Sequence, residues 1–236
     1  MIRVPDRFFK FCGWMLLLSG LLTTIIQYIH LEDVPSGMEQ MDIFVDVAVW
    51  THIGLLISFT MFLMGFVGLY LRQAAGLKWW GWLSFGMLFL FFMLDGTHSP
   101  VQIFGYPVFF DNIQTEEQLQ AASDLVMRIG SEGPGFALMI LLMPLMLFGS
   151  ILMGISMLRA RILPKWPAIM TLVSVIFIFL PYGPVTKYIF PLPYLIYAWY
   201  GWILAFEKRD ETAALIEEMR TRDAKGIHVK EVEQSI

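Results

Sequence analysis

Twenty-five consecutive residues of this chain contain no Asp, Glu, Lys or Arg: they are residues 47–71, VAVWTHIGLLISFTMFLMGFVGLYL. A helix of this length measures about 37 Å at about 1.5 Å per residue, and the hydrocarbon core of a bilayer is about 30 Å thick. The one side chain in the stretch that titrates near neutral pH is His52. The stretch therefore predicts a membrane-spanning helix that carries a single histidine.

Five further stretches share this apolar character. Together they predict an all-α fold, a polytopic transmembrane helical bundle of six spans within residues 1–206. The expected spans, with approximate bounds, are residues 11–29, 47–71, 77–94, 134–158, 166–182 and 188–206. The chain has 236 residues and is 57% hydrophobic and 15% charged, whereas soluble domains are about 25% charged. This composition excludes a water-soluble enzyme, a nucleic-acid binder and a disordered protein.

The charged residues indicate the orientation of the bundle. The N-terminal segment and the loops 72–78 and 159–165 hold eight Lys and Arg residues against one acid. The opposite segments, mainly residues 30–46 and 95–133, hold two bases and eleven acids. Because short cytoplasmic loops are enriched in Lys and Arg, both termini are predicted to be cytoplasmic, in a bacterial plasma membrane. The basic inner surface is expected to contact anionic lipid headgroups.

The C-terminal residues, 207–236, differ in composition from the spans. They hold eight acids and six bases, which predicts a charged cytoplasmic tail with one solvated helix that extends the sixth span. A helix that docks on a partner is the alternative. Besides the lipid bilayer, the expected partners are another membrane protein or further copies of this chain. Nothing in the composition favours nucleic acid.

The two predicted inner loops resemble each other. Each begins with Leu-Arg and ends with Lys-Trp, and the two are offset by 87 residues. The residues expected to anchor the helices at this membrane surface are Arg72, Lys78, Trp79, Arg159, Lys165 and Trp166. Two helical hairpins of one orientation can have arisen by duplication, or the loops can have converged because membrane interfaces favour these residue types.

The outer polar segments contain two predicted helix starts. Ser36 with Glu39, and Thr115 with Gln118, have the spacing of capping boxes. Between them, residues 101–110 are apolar but too short to span the membrane. We expect these residues and the helix that follows to lie in the membrane interface as a partial lid over the bundle.

Three of the four histidines lie at the outer ends of the first three predicted spans. They are His30, His52 and His98, and Asp95 ends the third span close to His98. Because ionisable groups within a span usually face the protein interior, His52 is expected to face the bundle. His52, Asp95 and His98 together form the candidate ligand-binding pocket.

The same histidines allow other interpretations. His30, His52 and His98 could hold a transition-metal ion, and two facing imidazoles could ligate haem. They could also form a proton-sensitive cluster or lie apart from one another. The sequence contains no HExxH pattern of a zinc hydrolase. A methionine stripe within residues 139–157 could conduct Cu(I), but methionine at this spacing is more typical of helix packing.

Residues 154–170, GISMLRARILPKWPAIM, carry a resemblance to other proteins. A helix that ends in Leu-Arg, a Leu-Pro-Lys-Trp turn and an immediate next span resemble a recurring inner loop of small, uncharacterised bacterial multi-span membrane proteins of unknown function. The first span, which ends at His30, is similar to their N-terminal helix. The likeness covers about a quarter of the chain. It implies a bacterial inner-membrane protein and assigns no catalytic residue and no cofactor.

These observations lead to one main hypothesis about function. It is a non-catalytic accessory, sensing or small-ligand-binding module with an outward-facing pocket of histidine and aspartate side chains. The alternative is a metal- or haem-binding membrane oxidoreductase, or a metal transporter, that uses the outer histidines. A channel or proton-coupled transporter is disfavoured because no span carries a carboxylate near its middle.

Overall fold

The computed structural model describes residues 4–180 and 184–208, and over these residues the chain is all-α, without a strand. Five of its helices are long and apolar enough to cross a membrane. The all-α prediction is therefore confirmed, and the helices support a membrane-spanning bundle, which ends at Phe206. The predicted tail helix falls on residues 209–236, outside the described part of the chain.

The chain forms nine α-helices in its described part, with short 3-10 or π-helical turns next to several of them. In order, they are α1 (Asp6–Ile29), α2 (Met41–Gln73), α3 (Trp79–Asp95), α4 (Tyr106–Phe109), α5 (Glu116–Ser131), α6 (Gly133–Ala160), α7 (Lys165–Ser174), α8 (Pro184–Ile189) and α9 (Leu192–Phe206). Turns of 3-10 helix over Met38–Gln40, Gly96–His98 and Val175–Phe179, and a π-helical turn over Val101–Gly105, extend several of them. The second and third apolar helices, Met38–Gln73 and Trp79–Phe109, therefore extend beyond the predicted bounds at the end that carries His52 and His98.

The fifth predicted span, residues 166–182, is shorter than expected. The structure gives an α-helix of ten residues, Lys165–Ser174, and then a 3-10 turn of five residues, Val175–Phe179. About 20 residues are needed to cross a bilayer as a regular helix. The β-branched residues Val173, Val175 and Ile176 disfavour the α-helix at this point. Five long apolar helices are thus present in the described residues, and the sixth span is not confirmed.

The walls of the bundle are formed by α1, α2, α3, α6, α7 and α9, which pack in this order, and α9 closes against α1. The rings of Trp14 and Phe206 lie 5.2 Å apart. At the other end of α1, the Tyr28 hydroxyl donates a hydrogen bond to the carbonyl oxygen of Tyr188, at 3.0 Å. Helix α9 therefore runs antiparallel to α1 and ends near the point where α1 begins.

Glycine allows α1 to lie very close to its two neighbours. A Cβ added at Gly201 of α9 would overlap the backbone nitrogen of Leu17. A Cβ added at Gly65 of α2 would lie 2.7 Å from the Cβ of Leu16. Helices in membranes associate through such small residues because lipid provides no hydrophobic driving force between them.

Aromatic side chains fill the centre of the bundle where α2, α3 and α9 meet. The rings of Phe62 and Phe92 are stacked with their centroids 4.7 Å apart. The edge of Tyr197 packs on Phe66 at 5.4 Å. All four side chains are buried. A channel along the bundle axis would have to displace them, so the core argues further against a pore.

The loops 72–78 and 159–165 meet at one end of the bundle, which we name the basic end. A Cβ added at Gly76 would lie 2.9 Å from the Cα of Ala160. The two hairpins that these loops join are unequal, because α3 has 17 residues and α7 has ten. The similarity between the hairpins is therefore clear in their loops and weaker in their second helices.

The predicted anchors at the basic end contact a tryptophan that sequence reasoning missed. The Lys78 ammonium and the Arg159 guanidinium lie 5.2 and 5.7 Å from the ring centroid of Trp80. Trp79, the predicted anchor, is 71% exposed. The ammonium group of Lys165 lies 5.4 Å from the ring centroid of Trp166. Both residues belong to the predicted anchors. Exposed tryptophans at this end are typical of a membrane interface.

The opposite end carries His30, His52 and His98, and we name it the histidine end. A separate apolar cluster covers it. The buried members of this cluster are Phe44, Ala48, Tyr106, Phe110, Leu119 and Val126. The expected lid is therefore a packed layer, built from the start of α2, the short helix α4 and one face of α5.

One of the two predicted capping boxes is confirmed. The Thr115 side chain accepts a hydrogen bond from the backbone nitrogen of Gln118, and the Gln118 side chain accepts one from Thr115 in return. The prediction for Ser36 and Glu39 is wrong. The 3-10 turn that begins this helix is preceded by Gly37 and has no side-chain cap. The side-chain oxygen of Gln40 instead accepts from the Ser36 nitrogen at 2.8 Å and from its hydroxyl at 3.2 Å.

Candidate functional site

His52 lies in the interior of the histidine end, one helical turn above Ala48 on α2. Its side chain is 1% exposed. Its Nδ1 atom lies 2.7 Å from the carbonyl oxygen of Ala48, which can only accept a hydrogen bond. Nδ1 therefore carries the proton of the neutral ring, and Nε2 is left as an acceptor. The expectation that His52 faces the bundle is confirmed.

His30 meets this acceptor from the end of α1. Its backbone nitrogen donates to the carbonyl oxygen of Ile26 at 2.8 Å and so ends the helix. Its Nε2 atom lies 3.2 Å from Nε2 of His52. Since His52 Nε2 is the acceptor, His30 Nε2–H is the donor in the neutral pair. The two rings are 4.8 Å apart, inclined at 60°.

His98 completes a row of three imidazoles. The 3-10 turn Gly96–His98 continues α3 and brings the ring of His98 to 5.3 Å from the ring of His52, edge to face at 81°. Its Nδ1 atom contacts the carbonyl oxygen of Asp95 and lies 3.7 Å from the Asp95 carboxylate. His52 thus lies between His30 and His98.

Of the three residues of the predicted pocket, His98 lines the larger of two cavities at this end, whereas His52 and Asp95 line neither of them. His98 contacts both of the other two residues, and Asp95 reaches the row through His98. His30, which sequence reasoning assigned only to a metal site, is the direct hydrogen-bond partner of His52. We call His30, His52, His98 and Asp95 the histidine row.

Three further residues at this end were missed by sequence reasoning. Gln102 donates from Nε2 to the Asp33 carboxylate at 3.2 Å, and the Tyr106 hydroxyl donates to the Asp33 carbonyl oxygen at 2.7 Å. Gln102 and Tyr106 are buried. They are four residues apart, so a helical backbone places both on one face; the turn between them, Val101–Gly105, is π-helical. The polar pair Gln102 and Tyr106 within an apolar stretch was the one available signal.

Two cavities flank the histidine row. The larger, about 470 Å³, includes His98, Asp33, Gln102 and Tyr106 in its wall and reaches α5 and α6 on its other side. The smaller, about 340 Å³, includes His30 and Lys187. The row therefore connects two spaces, with the buried ring of His52 between them.

The electrostatic environment of His30 favours its neutral form. Burial lowers the pKa of His30 below its usual value of 6.5, and the electrostatic effects of His98 and Lys187 act in the same direction. The Asp33 carboxylate and a backbone hydrogen bond with Leu31 oppose this shift. Burial dominates, because charging an imidazole away from water is costly. The His30 side chain is thus held uncharged at neutral pH.

The structure does not provide the metal site that His30, His52 and His98 were predicted to form. Among the described residues, no group of three or more His, Cys, Asp and Glu side chains is arranged to hold a metal ion. The Nε2 atoms of His30 and His52 lie close together, but no third His, Cys, Asp or Glu donor of the described residues joins them at one point, and a metal site needs three or four donors. Haem fits no better, because its axial imidazoles lie on opposite faces of the porphyrin, while His30 and His52 hydrogen-bond to each other.

The methionine stripe of α6 divides between core and surface. Met153 and Met157 are buried among the core side chains, whereas Met143 is 52% exposed. The described methionines therefore do not line one path, and this favours helix packing over a copper route.

Comparison of the chain with protein-family models, with curated proteins and with solved structures finds no match. The resemblance of residues 154–170 to bacterial multi-span proteins accordingly stays a prediction. The argument for function rests on the geometry of the histidine row and its two cavities.

Proposed function

We propose that this chain is a six-span protein of the bacterial plasma membrane with both termini in the cytoplasm. The histidine end then faces outward and the basic end meets anionic lipid headgroups. The distribution of Lys and Arg supports this orientation. The chain also passes from the basic end at Lys165 to the histidine end at Lys187, which lines a cavity with His30. This supports a sixth crossing despite the short Lys165–Phe179 helix.

At its outward end the protein acts as a sensing and small-ligand-binding module. One observation carries this proposal: His98 belongs to the wall of the larger cavity and also packs on His52, which hydrogen-bonds to His30. A ligand in the cavity that contacts His98 therefore changes the surroundings of this pair, in which His52 is buried and His30 is half-buried. The module is proposed as an accessory to a membrane partner or to further copies of the chain.

The pair responds to protons for a physical reason. His52 Nδ1–H is committed to Ala48, so the only atom of His52 that can take a proton is Nε2. A proton there turns His52 Nε2 into a donor, so His30 must carry its own proton on Nδ1, where Leu31 provides a backbone hydrogen bond, for the pair to stay bonded. A second proton, on His30, places two N–H donors against each other and breaks the bond. The titratable and charged groups that face the pair are His98, Asp33, Asp95 and Lys187. The row can thus convert a change in outer pH or ligand occupancy into a change in helix packing.

The test compares the row with an ordinary helix position. Thermal stability is measured in detergent with EDTA between pH 5.5 and 8 for the wild type, His52→Ala, Asp95→Ala and the control Thr60→Ala. Thr60 is an exposed residue of α2 whose hydroxyl bonds only within its own helix. We expect His52→Ala and Asp95→Ala to change the melting temperature and its pH dependence, and Thr60→Ala to change neither. If the row variants follow the wild type at every pH, the proposal fails.

A further inference from the structure

The larger cavity at the histidine end has one polar wall and one apolar wall. Its polar wall contains Asp33, His98 and Gln102, and its apolar wall contains Val126, Ile129 and Leu138. Its volume of about 470 Å³ lies within the range of small-molecule sites, about 300–1,000 Å³. The two unlike walls fit a ligand with a polar group on an apolar body.

The polar wall favours a positive group on that ligand. Among the described residues that line the cavity, Asp33 is the one acid, and there is no Lys or Arg. Within residues 4–180 and 184–208, no ion pair joins Asp33 to Lys or Arg. One oxygen of its carboxylate accepts from Gln102 at 3.2 Å, which leaves the other oxygen for a ligand. Tyr106 holds the backbone of Asp33 in place through its carbonyl oxygen.

The surroundings of the cavity favour entry of such a ligand. Residues 30–46 and 95–133 carry most of the acids of the chain outside the tail, so their field attracts cations toward this end. Ile129 and Leu138, on the apolar wall, are also 39% and 43% exposed. The apolar wall therefore continues onto the outer surface of α5 and α6, where an apolar body can approach.

We propose that this cavity binds small amphiphilic amines, with the ammonium group at Asp33 and the apolar body between α5 and α6. This inference deepens the proposed ligand-binding function and rests on it for the link to the histidine row. The amine can be a free compound or the headgroup of an aminophospholipid, since both present a protonated amine beside an apolar body.

The test uses three probes of nearly one shape: benzylammonium, benzyl alcohol and benzoate. Saturable binding to the full-length protein in detergent is measured at pH 7 and low salt by calorimetry and by the shift in melting temperature. We expect benzylammonium to bind, benzyl alcohol to bind about two- to fivefold more weakly, because Asp33 is exposed and ion pairs at exposed groups are weak, and benzoate not to bind. Equal binding of the alcohol or binding of benzoate overturns the proposal.

Two variants locate the site. Asp33→Asn is expected to reduce the affinity for benzylammonium about two- to fivefold, so that benzylammonium binds no more tightly than benzyl alcohol. Leu138→Trp is expected to weaken both probes by filling the apolar wall. The matched control is Asp42→Asn, an acid in the first turn of α2 that does not line the cavity. If Asp42→Asn weakens benzylammonium as much as Asp33→Asn, the general acidic field explains the binding and the proposal is wrong.

Two further comparisons are made. One distinguishes a free amine from a lipid amine, and the other distinguishes amine binding in the cavity from the pH response of the histidine row. Nanodiscs with phosphatidylethanolamine are compared with nanodiscs of phosphatidylcholine alone: weaker benzylammonium binding in the former assigns the site to a lipid amine, and equal binding assigns it to a free amine. The pH dependence of stability without probe depends on His30 and His52. If that dependence is present while amine binding is absent, the cavity assignment alone is overturned.

Discussion

The Nε2 atoms of His30 and His52 lie 3.2 Å apart in the interior of the histidine end, while Nδ1 of His52 is held at 2.7 Å by the carbonyl oxygen of Ala48. These two contacts determine the proton positions of the neutral pair. They also join the end of α1 to the early part of α2 through side chains that can gain a charge. The stability of this contact should therefore depend on pH.

The wild-type protein should lose stability as the pH falls below about 6.5. Burial lowers the pKa of His30 from its usual value of 6.5, so the unfolded chain binds a proton more readily than the folded chain. The stabilisation is fully present above pH 6.5 and is lost as the pH falls toward the lower pKa of the folded state. Melting temperatures in detergent between pH 5.5 and 8 measure this dependence.

His30→Gln should reduce that pH dependence, because glutamine cannot take up the proton. Glu116→Gln is the matched control, since it removes a titratable group from the exposed first turn of α5. A pH profile that is as steep in His30→Gln as in the wild type would contradict the assignment to His30.

Tyr106→Phe should lower the melting temperature by about 2–4 °C. The substitution removes the hydrogen bond from the Tyr106 hydroxyl to the Asp33 carbonyl oxygen, a net loss of about 1 kcal/mol, and this shifts the melting temperature of a chain of this size by about that amount. The control is Tyr188→Phe, because the Tyr188 side chain is 66% exposed. A fall in Tyr188→Phe as large as in Tyr106→Phe would show that the Asp33 contact is not responsible.

Gly201→Ala should destabilise the bundle strongly. The added Cβ overlaps the backbone nitrogen of Leu17, so α9 must move away from α1. At Gly86 of α3 an added Cβ meets nothing within 4 Å, and Gly86→Ala should be neutral or stabilising, because alanine favours a helix over glycine by about 1 kcal/mol. Size-exclusion profiles and melting temperatures compare the two. Equal effects would mean that α1 and α9 are less closely packed than described.

Labelling with a membrane-impermeant maleimide should reveal the orientation. Cys12 is buried, and its replacement by alanine gives a background for single cysteines at Glu39, Glu116 and Arg161. We expect Glu39→Cys and Glu116→Cys to react in intact cells if the histidine end faces outward as proposed. Arg161→Cys should react only after lysis. Reaction of Arg161→Cys in intact cells would reverse the proposed orientation.

The apolar stretches predicted the helices because a helix in lipid must satisfy its own backbone hydrogen bonds. This constraint acts within each segment, so residues 11–29 and 47–71 were recognised directly. The Thr115 cap was predicted for the same reason, since its partner Gln118 lies three residues away. The break in the fifth span depended on weaker local preferences, and its α-helix ends at Ser174, earlier than its hydropathy indicated.

The sequence by itself determined that this chain forms helices long and apolar enough to cross a membrane, that its bases and acids lie in different segments, and that His30, His52 and His98 occur at one end of three helices. Only the tertiary structure decided that these histidines form a row instead of a metal centre, and that Asp33, Gln102 and Tyr106 belong beside them. The physical reason is that hydropathy and capping depend on neighbours along the chain. A distance such as 3.2 Å between two imidazoles depends on how each helix is rotated and how closely its glycines let it approach the next.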